Sequence, residues 1–148
     1  MDIAGQEHYW IRGPLVLTEE RMDFLCLEIK QGKIVQIAKK IPESDLDLNL
    51  KNKIIYDFSS QLYLIPGFID LHIHGAMGFD VMDGSADALD QISQALVKEG
   101  TTAYLATTMT ESEDKISQAL KNIAEFKKNK NFKNNKISGA EILGVHLE

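Results

Sequence analysis

The chain has one cysteine in its 148 residues, Cys26, so no intrachain disulfide can form. It lies within Phe24-Leu25-Cys26-Leu27, where a small buried apolar residue is the natural reading. Nothing nearby would lower its pKa, which argues against a catalytic thiol. No apolar run approaches the ~20 residues that span a bilayer. The N-terminus lacks a basic start followed by an apolar core, so no signal peptide is read there. The expectation is a cytoplasmic chain with no membrane partner. Positive charge is also short, with 16 Lys and Arg against 22 Asp and Glu and a formal net charge of -6. That balance favours solubility and speaks against a nucleic-acid partner. What remains is ordinary for a globular protein, 44% hydrophobic and 26% charged. The length allows one domain, or a small one plus part of another.

The most informative stretch runs Leu64-Ile65-Pro66-Gly67-Phe68-Ile69-Asp70-Leu71-His72-Ile73-His74-Gly75. A Pro-Gly turn launches an apolar run that ends in two histidines one residue apart. Side chains two positions apart on a strand share a face, so His72 and His74 can reach one point. Asp70 is expected on that same face, one pleat back. Two neutral imidazoles at a strand end are half of a divalent metal site. A pair of satisfied core histidines is the bland alternative, but the launching turn, the apolar run and the Gly75 exit weigh against it. Gly75 would let a ligand approach the backbone closely.

Pro66 to Gly75 resembles the first barrel strand of the amidohydrolase superfamily of metal-dependent hydrolases. The last residues, Leu143-Gly144-Val145-His146-Leu147-Glu148, narrow the likeness. They resemble the third barrel strand of the N-acetylglucosamine-6-phosphate deacetylases, where a strand-end glutamate binds metal. The resemblance covers about residues 55 to 148 and is looser before that.

Read in order, residues 8–17 form short extended pieces around Gly13-Pro14, with His8 a surface residue near a mobile terminus. Met22 to Ile29 and Ile34 to Ala38, around Gln31-Gly32-Lys33, read as a hairpin. Lys39 to Asn52 is polar and reads as an exposed connection, and Ile54 to Phe58 as another strand. These strands are too few to close a sandwich of ~7 strands. After the histidines, Ala76-Met77-Gly78-Phe79-Asp80 is a glycine-rich loop that would sit over the site. Ser85 is the expected N-cap of a helix carrying Leu89, Ile92 and Leu96, with Gly100 just past its end. Thr101 to Thr108 reads as the next strand, and Thr107 and Thr108 as hydroxyls that satisfy backbone. Thr110-Glu111-Ser112-Glu113 has capping-box spacing before a helix with Ile116, Ala119, Leu120 and Ile123 on one stripe. Lys127 to Lys136 reads as a solvated loop at the end away from the histidines. Ile142 to Glu148 is the last strand.

Strand, helix, strand, helix, strand is a parallel α/β pattern. Histidines at a strand's carboxyl end favour a (β/α)8 barrel, whose sites gather at that face. The predicted fold is the first three strands of a TIM-type barrel (residues 59–148) after a small, incomplete β-sandwich domain (residues 1–58). A barrel needs ~250 residues, so the chain is expected to be a truncated piece of a larger enzyme. On the third strand Glu148 and His146 share a face by alternation. Glu148 is the candidate third ligand, and His146 a residue behind the ligands or a packing residue.

The resemblance implies a metal site of His72, His74 and Glu148 holding one or two zinc- or iron-type ions. It implies hydrolysis of the acetamide of a small amino-sugar phosphate, giving glucosamine 6-phosphate and acetate. It implies a possible homo-oligomer for the full-length enzyme. The family's acid/base aspartate, its two later histidines and its phosphate-binding groups have no counterpart in these 148 residues. No catalytic residue is therefore assigned, and the chain alone is expected to be inactive. Two other readings stay open: another amidohydrolase, of dihydroorotase, allantoinase or adenine deaminase type, or a non-catalytic truncated product.

Overall fold

In the computed structural model, residues 8–46, 54–132 and 139–148 are described. They form two compact units that divide between Pro66 and Gly67.

In the first unit, β1 (His8–Arg12), β2 (Leu15–Leu17), β3 (Met22–Phe24), β4 (Cys26–Lys30) and β5 (Lys33–Ala38) precede a single helical turn, α1 (Glu43–Leu46). Then come β6 (Ile54–Asp57) and β7 (Tyr63–Leu64). One sheet has the order β5-β4-β1-β6 and a smaller one β3-β2-β7. The hairpin expected around Gly32 is β4 with β5, paired antiparallel. Met22 to Phe24 does not continue into it. This segment pairs instead with β2, so the apolar run from Met22 serves two sheets. Val16, Leu27 and Ile29 are buried together, with Tyr9, Ile11, Leu25 and Leu64 against them. Cys26 is buried beside Trp10, as its neighbours predicted. His8 is not a free surface residue, since its Nε2 lies 2.7 Å from Oε1 of the buried Glu28. The expected connection from Lys39 to Asn52 contains α1, and its residues 47–52 lie outside the described ones.

In the second unit, β8 (Phe68–Ile73) leads into a two-residue pair, β9 (Gly75–Ala76) with β10 (Phe79–Asp80), then a 3-10 turn at Val81–Asp83. α2 (Ala86–Lys98), β11 (Thr101–Thr107), α3 (Glu113–Phe132) and β12 (Glu141–His146) complete it. The three long strands form a parallel sheet of order β12-β11-β8. Leu89, Ile92 and Leu96 of α2 and Ile123 of α3 bury one sheet face, meeting Tyr104, Ala106 and Ile142. Ser85 caps α2 through its Oγ, which accepts the Ala88 N–H at 3.1 Å, and Gly100 follows the helix at φ +86°. That left-handed angle is the one glycine tolerates at a helix end.

Three sequence expectations change in this unit. α3 starts at Glu113, so Ser112, not Thr110, precedes it, and the Ser112 carbonyl accepts the Ile116 N–H. α3 also runs on through Phe132, so residues 127–132 are helix rather than loop. Phe126 explains the extension, because it continues the apolar stripe and packs on the core. Residues 133–136 of that expected loop lie outside the described ones. Finally, the glycine-rich segment is a tight hairpin. Met77 (φ +55°) and Gly78 (φ +84°) take the two positive angles of a type I′ turn. Gly75 is needed because a Cβ there would sit 2.0 Å from the Phe79 carbonyl oxygen. Its bareness therefore serves the pairing of β9 with β10. Among the described residues no helix is long and apolar enough to cross a membrane.

Candidate metal centre

Two irregularities in the sheet decide which side chains converge. Residues paired across parallel strands point to the same face, and one extra residue reverses the faces beyond it. In β12, Ile142 pairs with Tyr104 but Gly144, not Leu143, pairs with Leu105. Leu143 is thus the extra residue. Ile142 and Val145, three apart in sequence, both pack on the helix-facing core. His146, paired with Thr107, then falls on the opposite face. The same happens in β8. Asp70 pairs with Tyr104 and Ile73 with Ala106, so three residues on β8 match two on β11. Ile73 packs on the helix-facing core, and the flanking His72 and His74 turn the other way.

Asp70 does not join them, contrary to the simple alternation read from the sequence. The extra residue between Asp70 and Ile73 breaks the pleat, and the Asp70 carboxylate accepts the His72 N–H at 3.0 Å. His72 lies near the carboxyl end of β8 and His74 directly after it. Glu148 lies two residues past β12, on the strand one removed.

Glu148 nevertheless meets both imidazoles. Its Oε2 is 3.3 Å from His72 Nε2 and 3.3 Å from His74 Nε2, and the two Nε2 atoms are 3.2 Å apart. For bonds of ~2.0 Å, adjacent ligands of a tetrahedral ion stand ~3.3 Å apart. The three atoms therefore match one face of that tetrahedron, and the three side chains are partly open to solvent. The donor set, two imidazoles and one carboxylate, is of the kind that holds zinc or iron. Among the described residues, His72, His74 and Glu148 are the group whose ligand atoms gather in this way. His74 Nδ1 is buried with no hydrogen-bond partner, so its Nε2 is the nitrogen aimed at the shared point.

The surrounding groups fix this face in place. The His146 ring lies 4.6 Å from that of His72, centroid to centroid. Its Nδ1, 3.2 Å from the Leu71 carbonyl, donates to it and ties β12 to β8. The reading of His146 as a residue behind the ligands agrees with that geometry. Thr107 and Thr108 are fully buried and hydrogen-bond to backbone, as their place at the strand end suggested. Sequence reasoning missed Lys127. Its ammonium donates to the Ile142 and Leu143 carbonyls, at 2.5 and 2.7 Å, where the extra residue interrupts β12. Nothing in a run of Lys and Asn singles that lysine out.

A parallel α/β sheet carrying two histidines and a glutamate at its carboxyl edge defines a candidate metal centre, and residues 63–135 match the amidohydrolase family. The chain also resembles the N-acetylglucosamine-6-phosphate deacetylases. It is 40% identical to that of Bacillus subtilis (strain 168) over 120 residues, covering 81% of this chain and 28% of the relative. With that of Lysinibacillus sphaericus it shares 40% over 130 residues, 88% of this chain and 29% of the relative. The solved structure of the Thermotoga maritima deacetylase superposes with a TM-score of 0.69 at 26% identity, over 93% of this chain and 31% of that one. The chain thus spans under a third of the length of each.

Proposed function

We propose that the chain is part of a cytoplasmic, metal-dependent N-acetylglucosamine-6-phosphate deacetylase, which releases acetate from the substrate's acetamide to give glucosamine 6-phosphate. The observation that carries this reading is the triangle of His72 Nε2, His74 Nε2 and Glu148 Oε2, with edges of 3.2, 3.3 and 3.3 Å. The substrate follows from the names of the relatives. We read the first unit, which ends at Pro66, as part of the β-sandwich domain expected over residues 1–58. The parallel sheet, from β8 on, is read as the first three strands of a (β/α)8 barrel, with the boundary at Gly67 rather than at residue 59. More than half of Ile69 and Leu71 is exposed on β8, as expected where further barrel elements would cover a strand.

His72, His74 and Glu148 would hold a zinc- or iron-type ion, and with further ligands one or two. Such an ion supplies Lewis-acid polarisation of an amide carbonyl and a hydroxide at neutral pH. The chain's own residues set the geometry. To a bound ion His72 and His74 would offer Nε2 lone pairs, and Glu148 would add one negative charge that lowers the net charge of the loaded site. His146 keeps its proton on Nδ1, bound to the Leu71 carbonyl, and braces the His72 ring.

Calorimetric titration of the 148-residue chain with zinc tests the ligand set. Binding is expected, weak for three protein ligands, and the double change of His72 and His74 to Ala should abolish it. Tight binding unaffected by that change would move the site elsewhere. Acetate release from N-acetylglucosamine 6-phosphate should stay at the metal-only control. A general acid or base is worth roughly 10²–10⁴-fold, and the 148 residues include no counterpart of the family's aspartate. Turnover that disappears in Glu148→Gln would refute the expected inactivity.

A further inference from the structure

We infer that Thr107, the last residue of the middle strand, and Thr108, directly after it, are positioning residues that set the spacing between the His72–His74 pair and Glu148. The inference rests on the metal-site reading of those three side chains. β11 contributes none of the three, yet its end lies between the two strands that do.

Thr107 Oγ1 accepts the N–H of Ile73 at 3.0 Å, the peptide unit between the two histidines, and donates to the Leu105 carbonyl at 3.3 Å. Thr108 Oγ1 accepts the N–H of Glu148 itself at 3.2 Å, while the Thr108 N–H donates to the His146 carbonyl at 3.0 Å. Neither side chain has any exposed surface. Where β8 carries an extra residue, and where β12 has ended, the ladder no longer offers a carbonyl in register. The two hydroxyls stand in for it. One clamps the histidine strand and the other the glutamate strand, from consecutive residues at the end of β11. Two hydroxyls that merely satisfied their own backbone would have no reason to bond on opposite sides, one between the two candidate histidines and the other at Glu148 itself.

Removing a group that orients metal ligands typically costs 10–100-fold in metal affinity. The test is cobalt(II) titration of the full chain, followed by visible absorption, for wild type, Thr107→Val, Thr108→Val and the two Ser variants. Val keeps the shape and loses the hydroxyl, whereas Ser keeps the hydroxyl. Each Val variant should bind cobalt at least tenfold more weakly with an altered visible band, and each Ser variant should return to within about threefold of wild type. Urea unfolding in chelator, run in parallel, separates loss of affinity from loss of fold. Wild-type chain that binds no cobalt overturns the metal-site reading itself. Cobalt binding that is equal in wild type and Val variants overturns the clamp alone. If a Val variant does not fold, amide exchange in the unaltered chain decides. Protected Ile73 and Glu148 amides that slow further with cobalt support the clamp, and exchange at open-chain rates overturns it.

Discussion

Replacing Lys127 by Met should destabilise the second unit by about 2 kcal/mol, although Lys127 lies in a polar helical run and touches none of the candidate ligands. The ammonium donates to two carbonyls of β12, Ile142 and Leu143, which lie at the extra residue of that strand. Met keeps most of the stem and removes both donors. A hydrogen bond from a charged group contributes roughly 1.5–3 kcal/mol net, and an orphaned buried acceptor costs roughly 1–3. The two carbonyls differ in access. Ile142 is buried, whereas Leu143 is exposed, so water can replace the second bond but not the first. One lost bond therefore dominates, which gives the estimate of about 2 kcal/mol. For a unit of this size that corresponds to a fall in Tm of roughly 8–16 °C. Urea is the right denaturant, because guanidinium salt would screen the interaction being measured. Lys127→Arg, which keeps the charge, should lie between the two. A Lys127→Met chain within about 0.5 kcal/mol of wild type would refute the reasoning, since it would mean that the Ile142 carbonyl needs no protein donor.

Three further perturbations have definite expected outcomes. Ser93 Oγ and Tyr104 Oη lie 3.1 Å apart with both residues fully buried, and burial pushes the Tyr104 phenol up, so the pair stays neutral. Ser93→Ala should cost about 1–3 kcal/mol in urea unfolding, and adding Tyr104→Phe should recover part of it. Met77 holds a left-handed angle, so Met77→Asn should stabilise by about 0.5–1 kcal/mol, read as a higher urea midpoint. The Glu28 carboxyl is held below its usual range by the Lys30 hydrogen bond first and that of His8 second. A lowered folded pKa adds stability above the unfolded value and loses it as pH falls through the folded one. Glu28→Gln should therefore flatten the loss of stability below the usual carboxylate range, and an unchanged acid limb would count against the Lys30–Glu28–His8 cluster.

The elements were largely legible in the sequence because their signals are local. Leu89, Ile92 and Leu96 recur at helical spacing, Ser85 and Gly100 mark the two ends, and Pro66-Gly67 announces β8. His72, His74 and Glu148 could be singled out because a strand places i and i+2 on one face near its end. Extra residues were not legible. Leu143 and the residue added between Asp70 and Ile73 carry no turn-forming chemistry, and each shows only in the pairing with β11. Strict alternation therefore puts Asp70 on the face it does not take. Lys127 was missed for the complementary reason, since its partners are backbone carbonyls and no side-chain pattern encodes them. The Met22–Phe24 run looks like part of one hairpin in the sequence because β-propensity does not say which neighbour a strand will choose.

The extra residue in β12 also divides the strand by its tolerance of changes in length. Ile142 and Gly144 already pair with consecutive residues of β11, so Leu143 occupies no rung of its own. Deleting Leu143 leaves every later residue opposite its present partner, with His146 still beside Thr107 and Glu148 still facing the histidines. Deleting any one residue from Gly144 to Leu147 would move Glu148 by a rung and turn its carboxylate toward the helices. β12 thus has one position where the chain can shorten without disturbing the cluster, immediately followed by a stretch whose length is fixed by it.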